Sequence, residues 1–267
     1  MNAKELIREI RLKKTFLTVG LDTDLAKIPS FLLESDDPVF EFNRRIIDAT
    51  REHCVAYKIN TAFYEDKGTE GWETLLRTEA YIGKNHFKIA DAKRGDIGNT
   101  SDQYAQAFFA AADFDAVTVA PYMGYDSIAP FLAYENKYAI MLALTSNPGA
   151  DDFQLQKLEN GKYLFEQVVE TSSRWKNAER LMYVTGATRP EYLRAIRKIV
   201  PDAFFLVPGV GAQGGSLDEV VKHGKTDDIG LLVNASRSVI YAGGGEDFAE
   251  KAEAEARLLS AQMAAYF

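Results

Sequence analysis

Residues 87–100 read FKIADAKRGDIGNT, an apolar run followed by a dense pattern of charges. The first four residues are typical of a buried strand. On an extended strand, residues two apart share a face, so Asp91 and Lys93 are expected to point the same way, with Asp96 beyond the strand at the start of the next helix. Charges at the mouth of an apolar strand cost desolvation free energy unless they are paired or used. The stretch therefore indicates either a solvated turn with an incidental ion pair or a site in which two acids bracket one lysine.

Composition restricts the class of protein. The chain has 267 residues, 46% of them hydrophobic, and a formal net charge of -8. One barrel of about 250 residues is as compatible with this length as two small domains are. The negative charge disfavours nonspecific binding to nucleic acid, which depends on Lys and Arg. A single cysteine, Cys54, cannot form an internal disulfide, and no segment approaches the roughly 18 apolar residues of a membrane span. These features predict a cytoplasmic protein without nucleic-acid or membrane partners.

Eight short apolar or β-branched runs alternate with amphipathic stretches. The runs cover residues 16–20, 55–59, 87–90, 116–120, 138–144, 181–184, 204–207 and 229–233. Most are apolar almost throughout, as strands buried on both faces of a parallel sheet are. Helical patterns lie at residues 102–111, 163–175, 191–200, 216–223 and 247–265. The alternation predicts the α/β class and a single (β/α)8 TIM barrel spanning residues 1–267, with a doubly wound open sheet as the alternative.

Catalytic groups of such barrels lie at the C-terminal ends of the strands. The segment PGVGAQGG at 208–215 follows strand seven, and its four glycines can turn with exposed N–H groups while Gln213 adds an amide donor. Arg237 follows strand eight and supplies a cation. Position and chemistry predict a phosphate site, although a tight glycine turn with an exposed arginine would have the same sequence.

The pattern D-x-K-x-x-D-I-x-x-T at 91–100 resembles the signature of orotidine 5′-monophosphate decarboxylases. D-x-K-x-x-D alone is shared with other phosphosugar decarboxylases and synthases. The segment 208–215 resembles the phosphate loop of the decarboxylases, which makes the likeness more specific. The chain departs from many members at strand eight, where it has Ser236 before Arg237 in place of Gly. This difference puts the contact from residue 236 in doubt.

The resemblance implies a role for each matching residue. The catalytic group would comprise Lys93, Asp91, Asp96 and Lys58, and the substrate-binding group would comprise Asp22, Ile97, Thr100, Ser146, Gln213, Ser236 and Arg237. The implied reaction converts orotidine 5′-monophosphate to UMP and CO₂ without a cofactor. In the family the last aspartate of the motif, with the following Ile and Thr, reaches into the partner's site, so the resemblance also implies a homodimer with shared active sites.

Two other classes of function remain open from the sequence. One is a metal-dependent phosphosugar decarboxylase or synthase of the same superfamily, and the other is a non-catalytic nucleotide-binding barrel. Lys58 disfavours the first, because related keto-gulonate phosphate decarboxylases carry a Mg²⁺-binding carboxylate on strand two and an ammonium there would repel a dication. We therefore expect no metal site.

Overall fold

The computed structural model describes residues 1–210 and 214–267. Within them, eight strands are joined in chain order and close into a barrel. The strands are β1 (Leu17–Gly20), β2 (Ala56–Asn60), β3 (Phe87–Arg94), β4 (Ala116–Val119), β5 (Tyr138–Leu144), β6 (Leu181–Thr185), β7 (Phe205–Pro208) and β8 (Leu231–Ala235). The predicted single (β/α)8 TIM barrel is confirmed.

Helices alternate with the strands along the chain. They are α1 (Ala3–Lys13), α2 (Pro38–Thr50), α3 (Ala62–Glu65), α4 (Gly68–Ile82), α5 (Gly98–Gln106), α6 (Tyr125–Leu132), α7 (Ala150–Phe153), α8 (Leu164–Ser172), α9 (Pro190–Ile199), α10 (Leu217–Gly224), α11 (Arg237–Ile240) and α12 (Phe248–Ala264). None of the helices in the described residues is long and apolar enough to cross a membrane.

The contacts divide the chain into two compact units. The first unit comprises Met1–Ala92, Ala111–Asp115 and Asn234–Phe267, and the second comprises Lys93–Ala110 and Ala116–Val233. That residues 1–267 act as one domain stays a prediction.

Helix docking organises the first unit. Helix α2 begins at Pro38, whose ring fixes φ in the helical range, and the Asp37 side chain accepts a hydrogen bond from the Phe40 N–H at 3.0 Å. Phe42 of α2 stacks on Phe248 of α12 with ring centroids 5.0 Å apart, and both are fully buried. Burying a side chain of this size stabilises the fold by about 1.5–3 kcal/mol, so this contact anchors both helices.

Parallel strand pairing organises the second unit. Strands β4 and β5 pair from Ala116↔Tyr138 to Val119↔Met141, and β5 continues onto β6. Each residue of β4 is buried, including Thr118. The near-continuous apolar pattern that predicted these strands is explained by their burial on both faces.

Strands β3 and β8 and the start of helix α5 differ most from the sequence expectations. Strand β3 extends to Arg94, and Lys93 within it has φ +48°, so the alternation that placed Asp91 and Lys93 on one face does not hold at Lys93. Strand eight begins at Leu231 because Ile229 and Gly230 adopt positive φ values of 69° and 63° in a turn. Asp96 lies beyond β3, as predicted, but before α5 begins at Gly98.

Candidate active site

A buried ion network lies at the C-terminal ends of the first strands of the first unit. The Lys58 ammonium contacts Asp22 Oδ1 at 3.1 Å and Asp91 Oδ2 at 3.0 Å. Only 6% of the Lys58 side chain is exposed. Removing three charges from water is costly, and apolar residues would serve packing better, so the network indicates a functional site more than a stabilising one.

Strand register brings these residues together. Gly20 of β1 pairs with Lys58 of β2, and the Leu21 N–H donates to the Lys58 carbonyl at 2.8 Å, which places Asp22 one residue further on. On the other side of β2, Asn60 pairs with Asp91 of β3. The network therefore follows directly from parallel pairing of three consecutive strands.

The charge state of Lys58 is set by competing effects. Burial is the largest effect and opposes the charged form, but attraction and hydrogen bonds from Asp22 and Asp91 outweigh it, so the pKa of Lys58 is raised above its ordinary value. Lys58 is therefore a fixed cation near neutral pH.

The end of β8 lies against the end of β1 in the same unit. Asn234 Nδ2 donates to Ser236 Oγ at 3.1 Å, while Asn234 Oδ1 is buried and has no hydrogen-bond partner among residues 1–210 and 214–267. A Cβ atom at Gly20 would lie 1.9 Å from Ser236 Oγ, so only glycine leaves room for the serine. Arg237 follows at once as the exposed first residue of α11.

The second unit carries Lys93 and Asp96. The Lys93 side chain is exposed, and its backbone N–H donates to Thr118 Oγ1 of β4 at 2.9 Å. Asp96 is partly buried, and its Oδ1 accepts a hydrogen bond from the Ile97 N–H at 2.8 Å. Ile97 is 57% exposed, and Thr100 is also exposed in α5.

Ser146 lies just beyond β5 in a segment held by amide side chains. Gln154 Oε1 accepts from the Thr145 N–H at 2.8 Å, and Thr145 Oγ1 donates to Asn147 Oδ1 at 2.6 Å. A Cβ atom at Gly186 would lie 2.9 Å from Ser146 Cβ, so the end of β6 passes directly against the serine. Ser146 is therefore tightly placed by its neighbours.

On either side of residues 211–213, the glycine-rich segment after β7 is described at Gly209 and at Gly214–Gly215. Gly209 and Gly214 have φ values of +94° and +83°, and the Gly215 N–H donates to the Gly209 carbonyl at 3.2 Å. These positive values explain the glycines. Gln213, predicted to bind phosphate, lies outside the described residues.

Several structural partners of the site escaped the sequence reasoning. They are Thr118, Gly186 and Gln154. Thr118 is a polar residue in an otherwise apolar strand, and this pattern was the sequence signal that could have identified it. Within residues 1–210 and 214–267, no three His, Cys, Asp or Glu side chains are grouped as metal ligands would be.

A closed barrel with charged side chains at its C-terminal strand ends is the architecture of a (β/α)8-barrel enzyme. Residues 15–252 match the model of the orotidine 5′-phosphate decarboxylase / HUMPS family. The chain belongs to the orotidine 5′-phosphate decarboxylase / HUMPS family.

Relatives within this family carry the more specific name. The orotidine 5′-phosphate decarboxylase of Flavobacterium johnsoniae is 61% identical, over 99% of this chain and 97% of that protein. The enzyme of the same name from Phocaeicola vulgatus is 56% identical, over 98% of each. The structure of Leishmania donovani OMP decarboxylase superimposes with a TM-score of 0.82 at 34% identity, over 97% of this chain and 99% of that one. The family predicted from the sequence is confirmed, and so is its decarboxylase class.

Proposed function

We propose that this protein converts orotidine 5′-monophosphate to UMP and CO₂ in pyrimidine biosynthesis, with its own side chains and no cofactor. The observation that carries the proposal is the buried Asp22–Lys58–Asp91 network at the end of β3, the strand that also bears Lys93. The names of the full-length relatives, given above, support the same substrate.

The chemistry explains why charged residues are needed. Cleavage of the bond between C6 and the carboxylate leaves an electron pair on C6, and the pyrimidine ring has no position that delocalises it. Without an electron sink, the protein must stabilise this charge directly. The Lys93 ammonium serves this role and then transfers one proton to C6, which gives UMP.

Asp91 and Lys58 prepare the site for that step. The carboxylate of Asp91 is held by the Lys58 ammonium at 3.0 Å, so its position is fixed before substrate arrives. In the proposal Asp91 faces the substrate carboxylate, and their repulsion eases as CO₂ leaves. Lys58, held as a cation by Asp22 and Asp91, offsets part of their negative charge.

The remaining residues bind the nucleotide. Ser146 contacts the pyrimidine edge through its hydroxyl and backbone amide, and Asp22 contacts the ribose. Gln213 and Arg237 bind the phosphate, with the residue 236 backbone contributing an N–H. The exposure of Arg237 and the tight placement of Ser146 support these roles.

The proposal includes a C2 homodimer in which Asp96, Ile97 and Thr100 complete the partner's site. Large apolar side chains in the second unit are exposed, and a second copy would cover them: Ile97 is 57%, Tyr122 91% and Met123 44% exposed. Ile97 lies beside Asp96, so the same surface carries the catalytic aspartate.

We propose the binding partner and the cellular location of this protein from its family, its charge and its cysteine. The net charge of -8 supports a small nucleotide substrate over nucleic acid as the partner. The single buried thiol, Cys54, fits the reducing cytoplasm, which we propose as the location.

A continuous absorbance assay of orotidine 5′-monophosphate decarboxylation, with released CO₂ measured in parallel, tests the proposal. We expect turnover that is unchanged by EDTA. Loss of activity on chelation would indicate a metal-dependent lyase, and UMP binding without CO₂ release would indicate a non-catalytic nucleotide-binding barrel.

A further inference from the structure

Lys93 has a backbone conformation that lysine rarely adopts. Its φ is +48°, in the left-handed region, although β3 continues through Arg94. A residue with a Cβ atom is disfavoured there by contact with the neighbouring backbone. Such a conformation persists only when the surrounding structure holds it, and it is concentrated at functional sites. The contacts of the Lys93 backbone therefore indicate what holds the lysine in place.

One of those contacts is a buried hydroxyl. The Lys93 N–H donates to Thr118 Oγ1 at 2.9 Å, and Thr118 is 1% exposed. Pairing of Thr118 with Ile140 of β5 fixes its backbone. The next residue is held as well, because the Ala120 N–H donates to the Arg94 carbonyl at 2.9 Å. Thr118 of β4 and Ala120 just after it thus hold β3 through hydrogen bonds at Lys93 and Arg94.

Packing does not explain the hydroxyl of Thr118. Its neighbours in β4, Val117 and Val119, are fully buried aliphatic residues. Valine has nearly the shape of threonine and avoids burying a polar group, which is unfavourable without a hydrogen bond. The hydroxyl of Thr118 is therefore explained by the hydrogen bond that its oxygen accepts from the Lys93 N–H.

We infer that Thr118 is a positioning residue for decarboxylation: its hydroxyl holds the left-handed backbone of Lys93 and so fixes the direction in which the ammonium points. The inference rests on the proposed function, since it takes Lys93 as the proton donor. A positive φ redirects the Cα–Cβ bond relative to a regular strand, so relaxation of φ would move the ammonium away from C6.

The variant Thr118→Val removes the hydroxyl and keeps the volume. We expect kcat to fall about 10- to 100-fold, the effect of misplacing a reacting group by about 1 Å. The dissociation constant for UMP should stay close to that of wild type, because Thr118 positions Lys93, whose ammonium acts on charge developing at C6 and not on ground-state binding. Thr118→Ser keeps the acceptor and should restore most of kcat.

Thr18→Val is the matched control. Thr18 is a fully buried threonine of β1 whose Oγ1 makes no hydrogen bond to any residue that the structure describes, so its loss removes a buried hydroxyl and leaves the Lys93–Thr118 hydrogen bond in place. We expect kcat of this variant to equal that of wild type. If Thr118→Val does not fold, Thr118→Ser and Thr118→Ala give the same comparison, because they differ only in the hydroxyl.

The result that would overturn the inference is a wild-type kcat for Thr118→Val, or an equal loss in Thr118→Ser and Thr118→Val. A crystal structure of Thr118→Val provides a test independent of activity: φ of Lys93 should leave the left-handed region, and a value unchanged from +48° would also overturn the inference. Absence of CO₂ release by the wild type would instead contradict the proposed function and leave this structural test standing.

Discussion

The backbone of Gly20 passes so close to Ser236 that a Cβ atom at position 20 would lie 1.9 Å from the serine Oγ and 2.9 Å from its Cβ. The end of β1 therefore determines where the residue before Arg237 can lie. We expect Gly20→Ala to displace Ser236, lower stability by about 1–3 kcal/mol and reduce kcat/KM.

Combining Gly20→Ala with Ser236→Gly should recover most of both losses, since the second substitution removes the atoms that clash. Urea denaturation and kcat/KM of the wild type, both single variants and the double variant measure this coupling. Additive effects of the two substitutions would contradict the predicted contact.

Lys93→Ala should nearly abolish turnover while UMP binding survives, because in the proposed mechanism the ammonium stabilises charge that develops only at C6. Steady-state decarboxylation and UMP titration measure the two effects. A variant retaining more than about a tenth of the wild-type kcat, equivalent to less than about 1.4 kcal/mol of lost transition-state stabilisation, would show that Lys93 is not the proton donor.

Arg237→Ala should lower kcat/KM on orotidine 5′-monophosphate roughly 10- to 100-fold, the value of one hydrogen bond to a charged group. On the nucleoside without phosphate, the variant and the wild type should be nearly equal. Arg174→Ala is a suitable control, because Arg174 is an exposed arginine paired with Glu170 at 2.6 Å. A large remaining difference on the nucleoside would mean that Arg237 acts on the ring or on the fold.

The shared-site proposal predicts complementation between two inactive variants. When Lys93→Ala and Asp96→Ala are denatured and refolded together in equal amounts, about half of the dimers are mixed, and each has one intact pocket of two. Activity should therefore recover to about a quarter of the wild-type level. Each variant refolded alone is the control. Mixed dimers without activity would place Asp96 in the site of its own subunit.

The lowered pKa of His86 predicts that the free energy of unfolding falls in mild acid. Burial is the main cause that lowers the pKa of His86 from 6.5 to about 4, with the nearby Lys13 ammonium acting in the same direction. Between pH 6.5 and about pH 4, His86 therefore binds more protons in the unfolded chain than in the folded protein. The stabilisation that comes from its neutral form is present above pH 6.5 and is lost as the pH falls towards 4. The loss is on the order of 3 kcal/mol.

Urea denaturation of the wild type and His86→Gln between pH 7 and pH 4 measures this contribution, because glutamine does not titrate. We expect the wild type to lose more stability over this range than the variant does. Parallel losses in both proteins would assign the acid sensitivity to other groups.

The barrel was predictable because its strands are buried on both faces. Strand β5 matches the predicted residues 138–144, and the others begin or end within a few residues of their runs. The runs at β3 and β8 agree least well, because β3 continues to Arg94 and β8 begins only at Leu231. At β8, Ile229 reads as a strand residue but adopts φ +69° in a turn. β-Branched composition carries no information about such a tertiary constraint.

The roles of the candidate site residues stay predictions, and the sequence did not reveal the contacts between them. The pairing of Lys58 with both Asp22 and Asp91 depends on strand register, which joins residues 36 and 33 positions away in the chain. The left-handed conformation of Lys93 has no local signal, because the hydroxyl that we infer holds it belongs to Thr118, 25 residues away, to which the Lys93 N–H donates. Pattern reasoning along one segment cannot detect either relationship.

With Lys93 as the proposed proton donor, its positive φ sets stability and activity against each other at a single position. Glycine adopts this conformation without strain, so replacing Lys93 by glycine removes an unfavourable backbone conformation from the folded state while it also removes the ammonium. Directed evolution that selects only for resistance to heat would therefore favour inactive proteins at this codon. Any programme to make a more heat-resistant form of this protein has to hold residue 93 constant and seek its gains elsewhere in the barrel.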